Sequence, residues 1–191
     1  LQADFETWRQ RLAEKGWGAP TWPVEYGGAG LSHPEAKALS QEMGKMGAFN
    51  PIPLMAGMGV TMVGPTVLEY GTDEQKAKHL PGIASGEVRW CLGLSEPNAG
   101  SDLASLATKA EDDGDFFTIN GQKIWTSRAE HSDLLVLLAR TTPRDQVAKK
   151  TQGLSVFLVD MRDVLGSSLS IRPIRTMMNH ATTELFFDEM P

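Results

Sequence analysis

The apolar residues of this chain change their spacing near residue 87, and that change limits the fold more than any other feature of the sequence. Before it they recur every three or four positions, as on one face of a helix; after it they alternate, as on one face of a strand. With 191 residues, 41% of them hydrophobic, each half has enough apolar material to bury a core. The expectation is an α+β protein. An all-helical domain over residues 1–87 precedes an antiparallel β-barrel or sandwich domain over residues 88–191.

In the first half, Phe5, Trp8 and Leu12 share one helix face, and Gly16 supplies an end. A Pro/Gly loop, Pro20 to Gly30, follows. Ser32 with Glu35 predicts a capping box, Pro34 suits the first turn, and Ala36, Leu39, Met43 and Met46 repeat at helical spacing. Residues 53–61 and 65–70 predict two buried helices broken at Gly64, and Thr72 with Gln75 caps a short helix that Pro81 stops. No charge occurs from Gly47 to Leu68, a length that suits a membrane span, but its prolines and glycines favour short buried helices.

In the second half, Val88, Trp90, Leu92 and Leu94 alternate with Arg89, Cys91, Gly93 and Ser95, which predicts a half-buried strand. Asn120-Gly121, between residues 116–119 and 122–125, predicts a hairpin turn. Residues 134–139, 154–159, 169–174 and 184–187 read as further strands, with a polar loop over 141–152.

Composition removes several classes of function. The net charge is −6 and the basic residues are scattered, so no footprint for nucleic acid or an anionic membrane is present. One cysteine, Cys91, excludes an internal disulfide and fits a reducing compartment, and no signal-peptide pattern opens the chain. His33, His79, His131 and His180 lack metal-pair spacing, so no metal is expected and each reads as structural or superficial. Gly57-Met-Gly59 lacks the third glycine of a dinucleotide loop, Gly121-Gln-Lys123 is followed by Ile124 rather than Ser or Thr, and no nucleophile elbow occurs.

Two stretches stand above this background: Trp90-Cys-Leu-Gly-Leu-Ser-Glu-Pro-Asn-Ala-Gly-Ser-Asp102 and Ile119-Asn-Gly-Gln-Lys-Ile-Trp-Thr-Ser127. In the first, Gly100 and its small neighbours let a ligand approach the main chain, where amides and the Ser95 and Ser101 hydroxyls serve a polar ring edge or a phosphate. In the second, Trp125 and Ser127 sit two apart on one strand face, an indole beside a hydroxyl that suits a flat heteroaromatic ring. From the residues alone, a plain turn and a core tryptophan remain open alternatives.

In this order, and together with Trp22-Pro-Val-Glu-Tyr-Gly-Gly28, Gly64-Pro-Thr66, Tyr70-Gly-Thr-Asp-Glu-Gln75 and Gly153-Leu-Ser-Val-Phe-Leu-Val159, the stretches resemble the acyl-CoA dehydrogenases. The resemblance covers the N-terminal helical domain and the middle β domain of that family, and not its C-terminal helical bundle. It implies FAD as cofactor. Leu92 and Leu94 would address the ring through the main chain and Ser95 through its hydroxyl. Ser101, with Gly100, would meet the flavin pyrophosphate or the pantetheine of coenzyme A. Trp125 would cover the flavin face away from the substrate, and Ser127 would offer a hydroxyl near N5 where the family often has Thr. Two departures stand out: Asn98 where Gly is common, tolerable in left-handed geometry, and Arg128 where Gly or Asn is common.

The implied reaction is FAD-dependent dehydrogenation of an acyl-CoA to its 2,3-enoyl-CoA, with electron-transfer flavoprotein or a similar acceptor as partner. A homodimer or tetramer is implied, in a bacterial cytoplasm or a mitochondrial matrix. Rival readings on the same scaffold are an acyl-CoA oxidase, a flavin monooxygenase, or a non-catalytic subunit of a hetero-oligomer. Met55, Met58 and Met62 read either as core packing or as adaptable lining for an acyl tail. Glu96 and Asp102 read as loop-shaping acceptors of backbone amides rather than as a base, which the resemblance assigns to the C-terminal bundle. The 191-residue chain alone is therefore predicted to show no dehydrogenase turnover with an added electron acceptor; measurable turnover would refute this.

Overall fold

A computed structural model describes residues 2–178 and 181–191; His180 lies outside them. The chain divides into two compact units, Leu1–Arg89 and Trp90–Pro191.

The first unit is helical: α1 (Gln2–Glu14), α2 (His33–Lys45), α3 (Ile52–Met55), a π-helical turn (Gly59–Val63), α4 (Gly64–Tyr70) and α5 (Asp73–Ser85). Leu12, Met43 and Ile52 form a core over which Trp8, Trp17 and Leu39 pack. The predicted face of α1 narrows toward its start, since Leu12 is buried while Phe5 is exposed. Both capping boxes form, with Glu35 Oε2 accepting from Ser32 N at 2.8 Å and Thr72 Oγ1 accepting from Gln75 N at 3.2 Å.

Two predicted helix breaks are overturned. Pro81 lies inside α5, which runs on to Gly86 and ends there in left-handed geometry at φ 72°. Burial of Leu80, Ile83 and Ala84 on either side of the proline outweighs its missing N–H. Gly64 does not break the chain either, because its φ and ψ of −61° and −48° are helical and the π-turn leads directly into α4. Its smallness serves packing: a Cβ there would lie 1.9 Å from Cη2 of the buried Trp22. These helices are only partly buried, with Leu54, Met62 and Tyr70 exposed.

The second unit is a curled, mixed sheet of seven strands: β1 (Trp90–Gly93), β2 (Lys109–Asp112), β3 (Phe117–Ser127), β4 (Leu134–Arg140), β5 (Leu154–Asp160), β6 (Leu169–Pro173) and β7 (Thr182–Met190). Most neighbours are antiparallel, as expected, but β1 lies parallel to β4, with Trp90 opposite Leu134 and Gly93 opposite Leu137. Cys91, Leu135, Leu137, Leu169, Leu185 and Phe187 belong to one buried core. Predicted half-buried, β1 is instead covered on both faces, since Trp90, Cys91 and Gly93 are all buried.

The predicted hairpin at Asn120-Gly121 does not form. β3 runs through both residues and pairs with β7, with a register irregularity between Ile119 and Gly121. Asn120 spends its amide across the sheet, donating to Glu189 Oε1 at 2.8 Å and accepting from Glu189 N at 2.9 Å. Gly121 is required by Thr108, whose Oγ1 would sit 2.4 Å from a Cβ. The actual turn joins β2 to β3 at Asp113-Gly114, where Asp113 N donates to Phe116 O at 3.0 Å and Gly114 has φ 93°.

Gly64→Ala tests the packing at Trp22. Alanine gains about 1 kcal/mol in helix propensity, but overpacking against a buried indole costs about 1–3 kcal/mol. We expect net destabilisation by up to about 2 kcal/mol in chemical denaturation; a stabilised variant would refute the close contact.

Candidate functional site

The two distinctive stretches meet within the second unit. β1 ends at Gly93, and the next residues run past β3, where Ile124 N donates to Ser95 O at 2.9 Å. Leu92, Leu94 and Ser95 are half-buried along this seam. The chain then turns back on itself, with reciprocal 3.1 Å bonds between the main chains of Glu96 and Ala99. Asn98 is not in left-handed geometry; the non-glycine residues with positive φ among those described are Trp125, Arg128 and Glu189. Gly100 and Ser101 follow the turn, both exposed. A Cβ on Gly100 would meet open space, so nothing in the chain's own packing demands glycine there.

On β3, a second register irregularity falls between Lys123 and Thr126. It places both residues inward, with Trp125 at φ 62° on the bulge and its side chain 59% exposed. The predicted simple alternation of Trp125 and Ser127 is therefore interrupted just before them, although the inward Thr126 still separates the exposed indole from the half-buried Ser127. The Thr126 hydroxyl is buried without a hydrogen-bond partner among the described residues, and its carbonyl accepts from Thr183 Oγ1 at 2.8 Å. Arg128 has φ 62°, a conformation that Gly or Asn adopts at less cost, and its N–H donates to Ala181 O at 2.6 Å.

Beneath the seam lies an ion pair that the sequence reading overlooked. The Lys123 ammonium, fully buried, is 2.8 Å from Glu96 Oε1 and donates to Leu94 O at 3.0 Å. Glu96 also accepts from Ala107 N at 2.6 Å and Thr108 N at 2.9 Å, which makes it the acceptor of backbone amides that was expected. The signal for Lys123 was present: it shares the inward parity of Ile119 on an apolar strand face, where a lysine needs a partner. Burial works to raise the Glu96 carboxyl, but the hydrogen bonds from Lys123, Thr108 and Ala107 overcome it and hold the group below its ordinary range. Burial pushes the Lys123 ammonium down against the pull of Glu96.

Asp102 departs from expectation, because its partners are side chains: Ser105 Oγ at 2.6 Å and Lys150 Nζ at 2.6 Å. The neighbouring turn is held by Arg140, which donates to the carbonyls of Ala104, Lys150 and Gln152 at 2.9–3.1 Å. Cys91 is buried, and burial pushes its thiol up to about 12, which leaves it unreactive. Among the described residues, no group of His, Cys, Asp and Glu is placed to hold a metal ion, and no helix is long and apolar enough to cross a membrane.

Residues 2–87 match the acyl-CoA dehydrogenase N-terminal domain, and residues 91–190 match the acyl-CoA dehydrogenase middle domain. The chain belongs to the acyl-CoA dehydrogenase family. It is 39% identical over 180 residues to the acyl-CoA dehydrogenase FadE26 of Mycobacterium tuberculosis, covering 94% of this chain and 43% of that protein. Among solved structures, the Tcur3481-Tcur3483 steroid ACAD superposes with a TM-score of 0.76 at 39% identity, over 97% of this chain and 45% of that one. The ChsE4-ChsE5 complex from Mycobacterium tuberculosis does so at 0.76 and 37%, over 97% and 46%. The chain thus spans about half the length of the relatives it matches. Those named acyl-CoA dehydrogenases are oxidoreductases.

The depressed Glu96 carboxyl stabilises the fold fully above the unfolded value, about 4.3, and that contribution is lost as pH falls through the folded value. Glu96→Gln lacks this titration. We expect the stability gap between the protein and Glu96→Gln to be widest at neutral pH and to close below about pH 4; a gap independent of pH in denaturant titrations would contradict it.

Proposed function

We propose that the full-length protein oxidises an acyl-CoA thioester to its 2,3-enoyl-CoA with FAD as cofactor. The observation that carries this reading is the Ile124–Ser95 hydrogen bond, 2.9 Å long, which holds the end of β1 beside the strand that carries an exposed tryptophan. The residues fit a flat heteroaromatic ring. Trp125 offers an indole that the chain's own packing leaves uncovered, Ser95 and Ser127 offer half-buried hydroxyls, and the main chain of Leu92 and Leu94 runs alongside. Gly100 leaves room for close approach to the main chain, and Ser101 beside it suits a phosphate or pantetheine oxygen.

When bound, FAD supplies a hydride acceptor for the β-carbon. The chain's own residues bind, orient and exclude water. Trp125 stacks, and the Ser95 and Ser127 hydroxyls fix the ring edge. Neither acidic residue of the first stretch serves as the base for the α-proton, since Glu96 is occupied by Lys123 and two amides, and Asp102 by Lys150 and Ser105. Likeness to a steroid ACAD supports a steroid-linked acyl chain, and likeness to the ChsE4-ChsE5 complex supports an oligomer with a second chain, identical or different. We place the protein in a bacterial cytoplasm, in keeping with its mycobacterial relatives, with electron-transfer flavoprotein or a similar acceptor taking the electrons.

The test is FAD uptake by the purified full-length protein, followed by visible flavin absorbance. Trp125→Ala is expected to weaken FAD about tenfold, since an aromatic contact is worth about 0.5–1.5 kcal/mol beyond its buried area. Unchanged affinity, or a full-length protein that takes up no FAD, would overturn the reading. Rapid reoxidation of the reduced protein by air would move it to the oxidases.

A further inference from the structure

We propose that the buried Lys123–Glu96 pair is a positioning device that sets the ring-binding end of β1, a role distinct from the stability that the ionised Glu96 contributes. This rests on the function proposed above.

Three segments converge on the pair. Lys123 Nζ holds the Leu94 carbonyl at 3.0 Å, one residue before Ser95. Glu96, one residue after Ser95, accepts from the Ala107 and Thr108 amides just before β2. Ile124, adjacent to Lys123, donates to the Ser95 carbonyl itself. Ser95 is therefore gripped on both sides and at its own main chain by consecutive residues of β3, and the next residue along is Trp125.

The energetics favour a geometric role. A buried ion pair repays little more than its desolvation, and well-packed apolar replacements of similar volume often do as well. What an apolar pair could not do is fix an ammonium to one chosen carbonyl. The surroundings are shaped to admit the lysine stem: a Cβ on Gly93 would stand 3.4 Å from Lys123 Cγ and closer still to Leu135 and Leu137. The carboxylate has all its neighbours as donors, two amides and the ammonium, so the loop bearing Ser95 has one way to lie. A lysine fully buried on a strand face otherwise lined by Ile119 and Thr126 is retained for where it places Leu94 and Glu96.

The test uses the full-length protein and three variants. Lys123→Met with Glu96→Gln removes both charges together, while glutamine keeps an acceptor for one amide. Leu169→Ala, in the same core, is the control for general loss of stability. The double variant is expected to bind FAD at least tenfold more weakly and to blur the fine structure of the visible flavin spectrum. The control, with a comparable drop in Tm, keeps affinity within about twofold and an unchanged spectrum. Equal FAD affinity in the double variant and the wild type would overturn the proposal, as would an equal loss of affinity in the control. Should the double variant not fold, Glu96→Gln alone carries the test: at least threefold weaker FAD binding supports the device, and unchanged binding overturns it. A wild-type protein that takes up no FAD sinks the functional reading, and this one with it, which separates the two failures.

Discussion

The arrangement of the second unit depends on burying one positive charge. Lys123 is drawn into the sheet interior, and once there it needs oxygen atoms, because an ammonium left alone in an apolar core is far more costly than one paired. The nearest suppliers are the Leu94 carbonyl and Glu96, which lie on the segment leaving β1. Satisfying the lysine therefore dictates where that segment runs. Glu96 in turn satisfies two amides leading into β2, so one charge within β3 links the end of β1 to the start of β2.

β3 performs this through two irregularities rather than regular pairing. The first, at Asn120-Gly121, lets Thr108 approach the backbone and frees the Asn120 amide to clasp Glu189. The second, between Lys123 and Thr126, shifts the strand's parity by one residue. Without that shift, strict alternation from Lys123 would turn Trp125 inward with it, since residues two apart share a face. With it, Lys123 and Thr126 both point inward and the indole turns out. The bulge thus converts an amphipathic strand into a strand that buries a cation and displays an aromatic ring two residues later.

The sequence showed this in parts. The change of apolar spacing located the passage from helices to sheet, and the Ser32 and Thr72 capping boxes formed because both partners of each were written three residues apart. Runs such as Leu134–Arg140 and Leu154–Asp160 were legible because their apolar content is dense. Misreadings arose where a local preference met a tertiary constraint. Asn-Gly favours a turn, yet at Asn120-Gly121 the glycine is needed for the approach of Thr108; the turn was at Asp113-Gly114, a signal of the same kind one strand earlier. β2 was invisible because only Ala110 of its four residues faces the core. Pro81 and Gly64 looked like breaks because proline and glycine oppose helices in isolation, whereas burial of Leu80 and Ile83 and the seating of Trp22 decide the outcome here. In the candidate site, Ser95 and Trp125 were singled out from residue type, while Lys123 was passed over because a lysine is ordinarily read as surface.

Trp125 adds a separate line of reasoning. A non-glycine residue held at positive φ costs about 1–3 kcal/mol and persists only where its surroundings impose it. Packing usually repays such strain, but this indole is 59% exposed, so within the chain little burial offsets it. The same backbone could have turned a large apolar ring into the core with Ile119 and Leu185; instead the bulge turns it outward. A strained backbone that presents an aromatic plane to the outside makes physical sense when the missing burial comes from something beyond this chain. The Arg128 backbone, at φ 62° three residues further, extends the same strained stretch to the end of β3. Two of the three described non-glycine residues at positive φ, Trp125 and Arg128, thus fall at this end of β3, while the third, Glu189, lies near the end of β7.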